Sequence, residues 1–471
     1  MPANAGIQRR SKPLDPRFRG DDVDLFQTQN MQAVDLLISA RWVIPVEPAG
    51  AVLDDHSVAV AEGRIVAVLP DAAAGERFEA REHLRLDKHA LIPGLVNLHT
   101  HAAMTLMRGL ADDLPLMTWL RDHVWPAEAK HVSSEFVYDS TLLACAEMLR
   151  GGVTCFNEMY FFPEAAARAA LAAGMRAALG IIAFEFPTAY AADADDYIAK
   201  GLAARDALRE EPLLSFCMAP HAPYTVSDRT FARIVTIAEE LDLPIHTHLH
   251  ETREEIEESV ARHKARPLER MRALGVLGPR LIAAHAVHVT QEEIEMLAHH
   301  GASVAHCPSS NLKLASGLAP VAAMLKCGIN VGIGTDGAAS NNRLDSFQEM
   351  RTAALLAKAA GDDVQAMPAH QALAAATLHG ARALGLEASI GSLAPGKLAD
   401  LAAVAFDEPE LSPCYDPVSH LVYSAGREHV SHVWVAGEPR VREKKLVGFD
   451  NRSLNNRVLL WQNKLAAETK A

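Results

Sequence analysis

The sequence predicts an α/β protein: a (β/α)8 barrel with a small β-sandwich assembled from segments on either side of it. Three observations carry this expectation. Between about residues 93 and 390, eight short apolar runs alternate with longer stretches of helical periodicity. Strand-like runs broken by Gly, Asp and Pro precede that region and return after it. At 471 residues and 49% hydrophobic, the chain also has the length and apolar content for more than one domain.

The elements follow in order. Residues 1–30 (MPANAGIQRRSKPLDPRFRGDD and on) are basic, rich in Pro and Gly, and lack the apolar core of a secretory signal. They read as a disordered extension, which a start codon assigned too far upstream would also produce. Residues 31–92 hold AVDLLISARWVI and SVAVAEGRIVAVL, strand-like runs that begin the sandwich. The barrel, 93–390, is carried by GLVNLHTH, GVTCFNEMY, MRAALGIIAF, LLSFCMAPH, LPIHTHLHE, RLIAAHAVHV, ASVAHCPSSN and INVGIGTDG. Helical stretches such as EFVYDSTLLACAEMLRGG and SDRTFARIVTIAEELD separate them. Residues 391–445, with SLAPGKLADLAAVAF and HVSHVWVAGEPRV, complete the composite sandwich, and 446–471 reads as a helical tail.

Composition excludes some partners. A formal charge of −14 argues against nucleic acid or an anionic membrane surface. No apolar run reaches the roughly 18 residues of a membrane span. The six cysteines form no CxxC pair, which fits reduced thiols in a cytoplasm better than a disulfide framework or a zinc ribbon.

The chemistry-bearing residues cluster at predicted strand ends. The first strand ends in His99-Thr100-His101, and side chains two apart on a strand share a face, so both imidazoles can enter the barrel mouth. The fifth ends in His246, His248 and His250 followed by Glu251, the sixth in His285 and His288, and the eighth in Gly334-Thr335-Asp336-Gly337. Any one of these fits a packed core histidine or a common turn. Together they place histidines and a carboxylate where a barrel would focus them on a divalent cation. Spacing alone does not choose among the three histidines of the fifth strand.

PGLVNLHTHAAM, THLHET, AAHAVH and GTDGAASNN resemble the amidohydrolase superfamily, in its cytosine-deaminase-like (TRZ/ATZ-type) branch. The similarity is greatest to 5-methylthioadenosine/S-adenosylhomocysteine deaminases, over residues 31 to 445. The resemblance implies a metal-dependent TIM-type barrel with His99, His101, His248 and Asp336 as ligands of one divalent metal, Zn²⁺ by expectation and Fe²⁺ by the same donor set. It implies Glu251 as proton shuttle, Asp336 as acceptor of the water proton, and His285 as the group that orients the attacking water. His221, in PHAPY, corresponds to a substrate-contacting histidine. Trp119 and Glu128 match positions beside the nucleoside, with Glu128 accepting hydrogen bonds from ribose hydroxyls. Glu251 and Asp336 would also touch the base. Binuclear relatives carry a lysine on the fourth strand, and LLSFCMAPHAPYTVS has none, so one metal is expected.

The implied reaction is hydrolytic deamination of a purine nucleoside to its inosine analogue and ammonia, in a cytoplasmic enzyme that forms homodimers or homotetramers. One departure bears on the substrate. Relatives that accept S-adenosylhomocysteine hold its carboxylate with arginines on and after the third strand. Here that region keeps Arg176 at the strand start and offers Ile181 and acidic residues further on. A carboxylate buried without a guanidinium is costly, so 5′-methylthioadenosine, or adenosine, is expected to be preferred. Two other readings compete: an aminohydrolase or chlorohydrolase of a triazine, guanine or related heterocycle, and a non-catalytic scaffold, against which the complete ligand set argues.

Overall fold

The computed structural model describes residues 31–466; the expectation for residues 1–30 lies outside them. Two eight-stranded sheets organise the chain. The first begins with β1 (Gln32–Val43), β2 (Leu53–Ala61), β3 (Arg64–Pro70) and β4 (Phe78–Pro93). The run SVAVAEGRIVAVL divides into β2 and β3 because Glu62 and Gly63 both take positive φ, 51° and 72°, as a two-residue hairpin turn requires. A side chain at Gly63 would also meet the Ala436 carbonyl oxygen at 2.6 Å.

The barrel strands are β5 (Leu95–Thr100), β6 (Val153–Glu158), β7 (Arg176–Ala183), β8 (Leu214–Pro220), β9 (Ile245–Leu249), β10 (Leu281–His285), β11 (Ser303–His306) and β12 (Asn330–Ile333). Each of the eight expected runs contains one of them, and all neighbours pair in parallel. Helices start where the sequence supplies caps. Ser133 accepts from the Phe136 N–H ahead of Ser134–Arg150, Ser227 from Thr230 ahead of Asp228–Leu241, and Thr290 forms a capping box with Glu293. Inside the barrel, Val96, Leu98, Cys155, Ala178, Ile282 and Ala284 make a dry floor beneath the mouth.

After the barrel come β13 (Leu401–Ala405), β14 (Val430–Val435), β15 (Glu438–Arg442) and β16 (Lys445–Leu446). β13 pairs antiparallel with β4, Ala402 opposite Ile92, so the two ends of the chain share one sheet in the order β16-β15-β14-β13-β4-β1-β2-β3. The sheet curls on itself. Ile65 N–H donates to the Lys397 carbonyl at 2.8 Å and Ala399 N–H to that of Gly63 at 2.9 Å, which brings the β3 edge back toward β13. The two layers so formed enclose Ile38, Val58, Ile65, Leu91, Leu401 and Trp434. The tail is the helix Asn451–Ala466, held by Arg457 and the Trp461 indole N–H, both donating to buried Asp139.

A buried ion pair joins the sheets. At the start of β7, the Arg176 guanidinium donates twice to Asp400, at 3.0 and 3.1 Å, and Asp400 also accepts from the Ala436 N–H. None of the six cysteines is paired, and no helix among the described residues is long and apolar enough to cross a membrane.

Removing one partner of such a pair strands a buried charge. Asp400→Ala is expected to lower stability by about 3–5 kcal/mol in chemical denaturation. The double change Arg176→Met/Asp400→Leu should recover most of the loss, because both charges leave together.

Candidate active site

At the mouth of the barrel, β5 ends in a turn that Glu158, at the end of β6, holds in place. Its carboxylate accepts from the Thr100 hydroxyl at 2.7 Å and the Ala102 N–H at 2.8 Å. This turn presents His99 and His101 on one side. His101 Nδ1–H donates to the Met159 carbonyl at 2.7 Å, and on β9 His248 Nδ1–H donates to the His221 carbonyl at 2.7 Å. Both rings therefore carry their proton on Nδ1, leaving bare Nε2 lone pairs that face each other at 3.2 Å.

Asp336 completes the ring of donors. Its Oδ1 lies 3.3 Å from His101 Nε2 and 3.4 Å from His99 Nε2, and His99 Nε2 is buried with no hydrogen-bond partner. The barrel seam makes this approach possible. Asp336 N–H donates to the His99 carbonyl at 2.9 Å, and Gly334 leaves room where a Cβ would sit 2.8 Å from that of His99. Two overlapping groups of ligand atoms, His99/His101/His248 and His99/His285/Asp336, each lie within 4.8 Å of one another. Converging lone pairs and an orphaned buried nitrogen fit a divalent cation, with three imidazoles and one carboxylate of the kind that binds Zn²⁺.

Electrostatics suit that set. Burial pushes His99 down to about 4 and His248 well below its usual value, so both are neutral donors at pH 7. Burial alone would raise Asp336, but the imidazole of His99, 3.4 Å away, and those of His101 and His285 outweigh it and hold the carboxyl well below the usual range. Its Oδ2 accepts from the Ser310 and Ser340 hydroxyls at 2.6 and 2.7 Å. Backbone strain is concentrated here: His285 and Asp336 sit at φ 70° and 61°.

Glu251 is buried in the same cavity, 4.0 Å from His285 Nε2. Burial raises its pKa; the Asp336 charge adds to the rise and His285 opposes it. Its backbone N–H, with that of His250, donates to Glu255, which fixes the loop after β9. His285 Nδ1–H donates to Asn311 Oδ1 at 2.8 Å, and Glu251 and Asp336 together outweigh the burial that would lower its pKa. His221 lines the cavity, bonded through Nδ1 to Thr225 at 2.9 Å and stacked on Phe184, with its pKa lowered by burial to about 3. Trp119 and Glu128 line the same cavity, where Glu128 accepts from the Tyr160 hydroxyl at 2.6 Å.

All nine residues singled out in the sequence thus converge on one mouth: eight line the cavity and His99 lies beneath it. The ambiguous histidines separate. His246 Nε2 meets His99 Nδ1 at 2.9 Å, whereas His250 Nε2 accepts the Leu268 N–H and His288 Nε2–H donates to the Ser316 carbonyl. Sequence reasoning passed over Asn311, Ser310, Ser340 and Tyr160. The first two lie in the AHCPSSN segment, where a run of small polar residues at a strand end was the available signal.

Relatives carry the same architecture. The sequence matches the amidohydrolase family over residues 90–440. It is 47% identical over 442 residues to a 5-methylthioadenosine/S-adenosylhomocysteine deaminase of Teredinibacter turnerae, covering 93% of this chain and 99% of that one. A zinc-bound adenosine deaminase of Xanthomonas campestris superposes with a TM-score of 0.92 at 49% identity, covering 93% of this chain and all (100%) of the other. Zinc-complexed atrazine chlorohydrolase of Arthrobacter aurescens, at 23% identity, shares the fold with a TM-score of 0.83 over 91% of this chain and 100% of its own. The chain belongs to the amidohydrolase family.

Proposed function

We propose that this protein hydrolyses the 6-amino group of adenine nucleosides, 5′-methylthioadenosine foremost, to the inosine analogue and ammonia. The observation that carries the reading is one cavity lined by a cation-binding set, the Glu251 carboxyl and the half-buried Glu128. The names and zinc of the relatives support the same chemistry. His99, His101, His248 and Asp336 would hold one divalent cation, Zn²⁺ by donor type, with Fe²⁺ accommodated by the same ligands. When bound, the cation acts as a Lewis acid that makes water nucleophilic near neutral pH. Cytoplasmic location and assembly as a homodimer or homotetramer belong to this proposal through the family resemblance.

The chain's own groups then divide the work. Glu251, its pKa raised by burial, donates a proton to the ring nitrogen beside the attacked carbon. Asp336, whose Oδ2 accepts from two hydroxyls and whose Oδ1 accepts from the Gly337 N–H, takes the water proton and passes it to the departing amine. His285, oriented by Asn311, directs the incoming water, and His221 contacts the base. Glu128 and Trp119 receive the ribose end. Arg176 is engaged with Asp400 and the Pro212 carbonyl, and no guanidinium or ammonium group lines the cavity among the described residues. A methylthio substituent therefore suits the site better than a homocysteine zwitterion.

The test is steady-state deamination by zinc-loaded protein. 5′-Methylthioadenosine should exceed S-adenosylhomocysteine in kcat/KM by about 10- to 100-fold, the cost of an unpaired charge. Glu251→Gln should cut turnover by about 10²–10⁴-fold while the metal stays bound. Turnover of guanine or a triazine in place of the nucleosides would reject the reading.

Asn311→Ala is expected to lower kcat by about 10–100-fold with metal stoichiometry unchanged, because His285 loses the bond that aims it.

Burial raises Glu128 to about 7, against the opposing bond from Tyr160. The ionised form is the better acceptor for a diol, so KM for the nucleoside should fall as pH rises through about 7. Glu128→Gln should flatten that profile.

A further inference from the structure

Beyond Glu128 the molecule holds a second cavity of about 430 Å³. Trp125, Glu128, Phe161 and Phe184 line both this chamber and the cavity of the metal-binding set, so the two share a wall. Its other side is the segment after β7, Phe184–Tyr190. Phe184 and Phe186 pack with ring centroids 4.8 Å apart, and Phe186 approaches Trp125 at 6.1 Å. The segment is pinned from behind: the Tyr197 hydroxyl donates to Thr188 Oγ1 at 2.6 Å, and Thr188 N–H to the Ala191 carbonyl at 2.9 Å. The chamber is thus preformed.

Apart from Glu128 in the shared wall, the charges around the chamber are turned away. Glu185, within the segment, accepts from the Ser227 N–H and the Thr230 hydroxyl outside the chamber. The Lys200 ammonium is spent on the Tyr190 carbonyl and Asp196. The Tyr190 ring lines the chamber, while its hydroxyl is buried. Aromatic walls, with the Glu128 carboxyl at the shared wall and no cation among the described residues to meet an α-carboxylate, suit a thioether or a hydrocarbon and oppose the carboxylate of a zwitterion.

We propose that this chamber receives the 5′ substituent of the nucleoside and admits uncharged thioethers longer than methyl, making 5′-S-alkyl- and 5′-S-arylthioadenosines its substrate class. The proposal rests on the deaminase reading. With the base at Glu251 and the ribose at Glu128, the 5′ group enters the aromatic chamber. Selection against S-adenosylhomocysteine is then a matter of charge and not of length. A neutral substituent of the same reach gains apolar burial with each methylene it adds.

The decisive comparison uses zinc-loaded enzyme with adenosine, 5′-methylthioadenosine, 5′-S-butylthioadenosine and S-adenosylhomocysteine. The butyl compound matches the homocysteine chain in length without its charges. Its kcat/KM is expected to equal or exceed that of the methylthio compound, with up to about fourfold gained per buried methylene. S-Adenosylhomocysteine should fall below both. A butyl compound that drops together with S-adenosylhomocysteine would mean exclusion by size and overturn the proposal. Failure of adenosine and methylthioadenosine as well would instead remove the deaminase reading beneath it. Phe186→Ala should lower the ratio of butylthioadenosine to adenosine turnover by about tenfold, the loss of one aromatic wall. An unchanged ratio would also overturn the assignment, and using a ratio removes any general loss of folded enzyme.

Discussion

Two imidazole nitrogens, His101 Nε2 and His248 Nε2, face each other at 3.2 Å with no proton to share, because each ring has given its proton to a carbonyl oxygen behind it. Facing lone pairs repel in a dry site and become favourable when a cation lies between them. The rest of the barrel mouth is arranged around this constraint. The seam between β12 and β5 brings the Asp336 carboxylate to the same point, and glycine at 334 is what lets the two chains approach closely enough. The His99–His246–Asn157 chain, with contacts of 2.9 and 3.1 Å, fixes the third ring from below. These partners are as much a part of the site as the donors they orient.

A second constraint follows from the loops. Chain segments that turn sharply at strand ends leave backbone N–H groups that cannot pair with a neighbouring strand. Here buried carboxyls receive them. Glu158 takes the N–H after His101, Glu255 takes those of His250 and Glu251, and Glu349 takes that of Ser309 together with the Asn341 amide. Burial raises each of the three to about 7, even though every one accepts N–H bonds that pull the other way. Acidic side chains so act as fasteners for the loops after β5, β9 and β11, the loops that carry His101, Glu251 and Asn311.

The barrel was legible because two periodicities agreed: apolar runs of strand length, and histidines two apart at their ends. The composite sheet was legible because strand-like runs flank the barrel on both sides; each group pairs within its own segment, and β13 against β4 joins the two. What stayed hidden depends on contacts between distant loops. Alternation put His246, His248 and His250 on one face, but β9 ends at Leu249 and His250 turns off it at φ 55°, so one ring touches His99 and another caps the Leu268 N–H. Asn311 and Ser310, in the short helix Pro308–Lys313, and Ser340 are ordinary polar residues by type. Their meaning comes from ending 2.6–2.8 Å from His285 and Asp336.

Two carboxyls a few ångströms from one imidazole have been driven in opposite directions. Glu251 accepts no hydrogen bond on its carboxylate from the described residues and lies in an enclosed cavity, so its neutral form is favoured. Asp336 has hydroxyls on one oxygen and the Gly337 N–H on the other, beside the His99 ring, so its anion is favoured despite equal burial. On the proposed reading, separation of this kind suits Glu251 to the role of proton donor and Asp336 to that of proton acceptor. Deamination needs both at once: a proton delivered to the ring as water attacks, and a base to carry the water proton to the leaving amine. On the proposed reading the fold meets this demand by environment alone, holding one acid away from donors and surrounding the other with them.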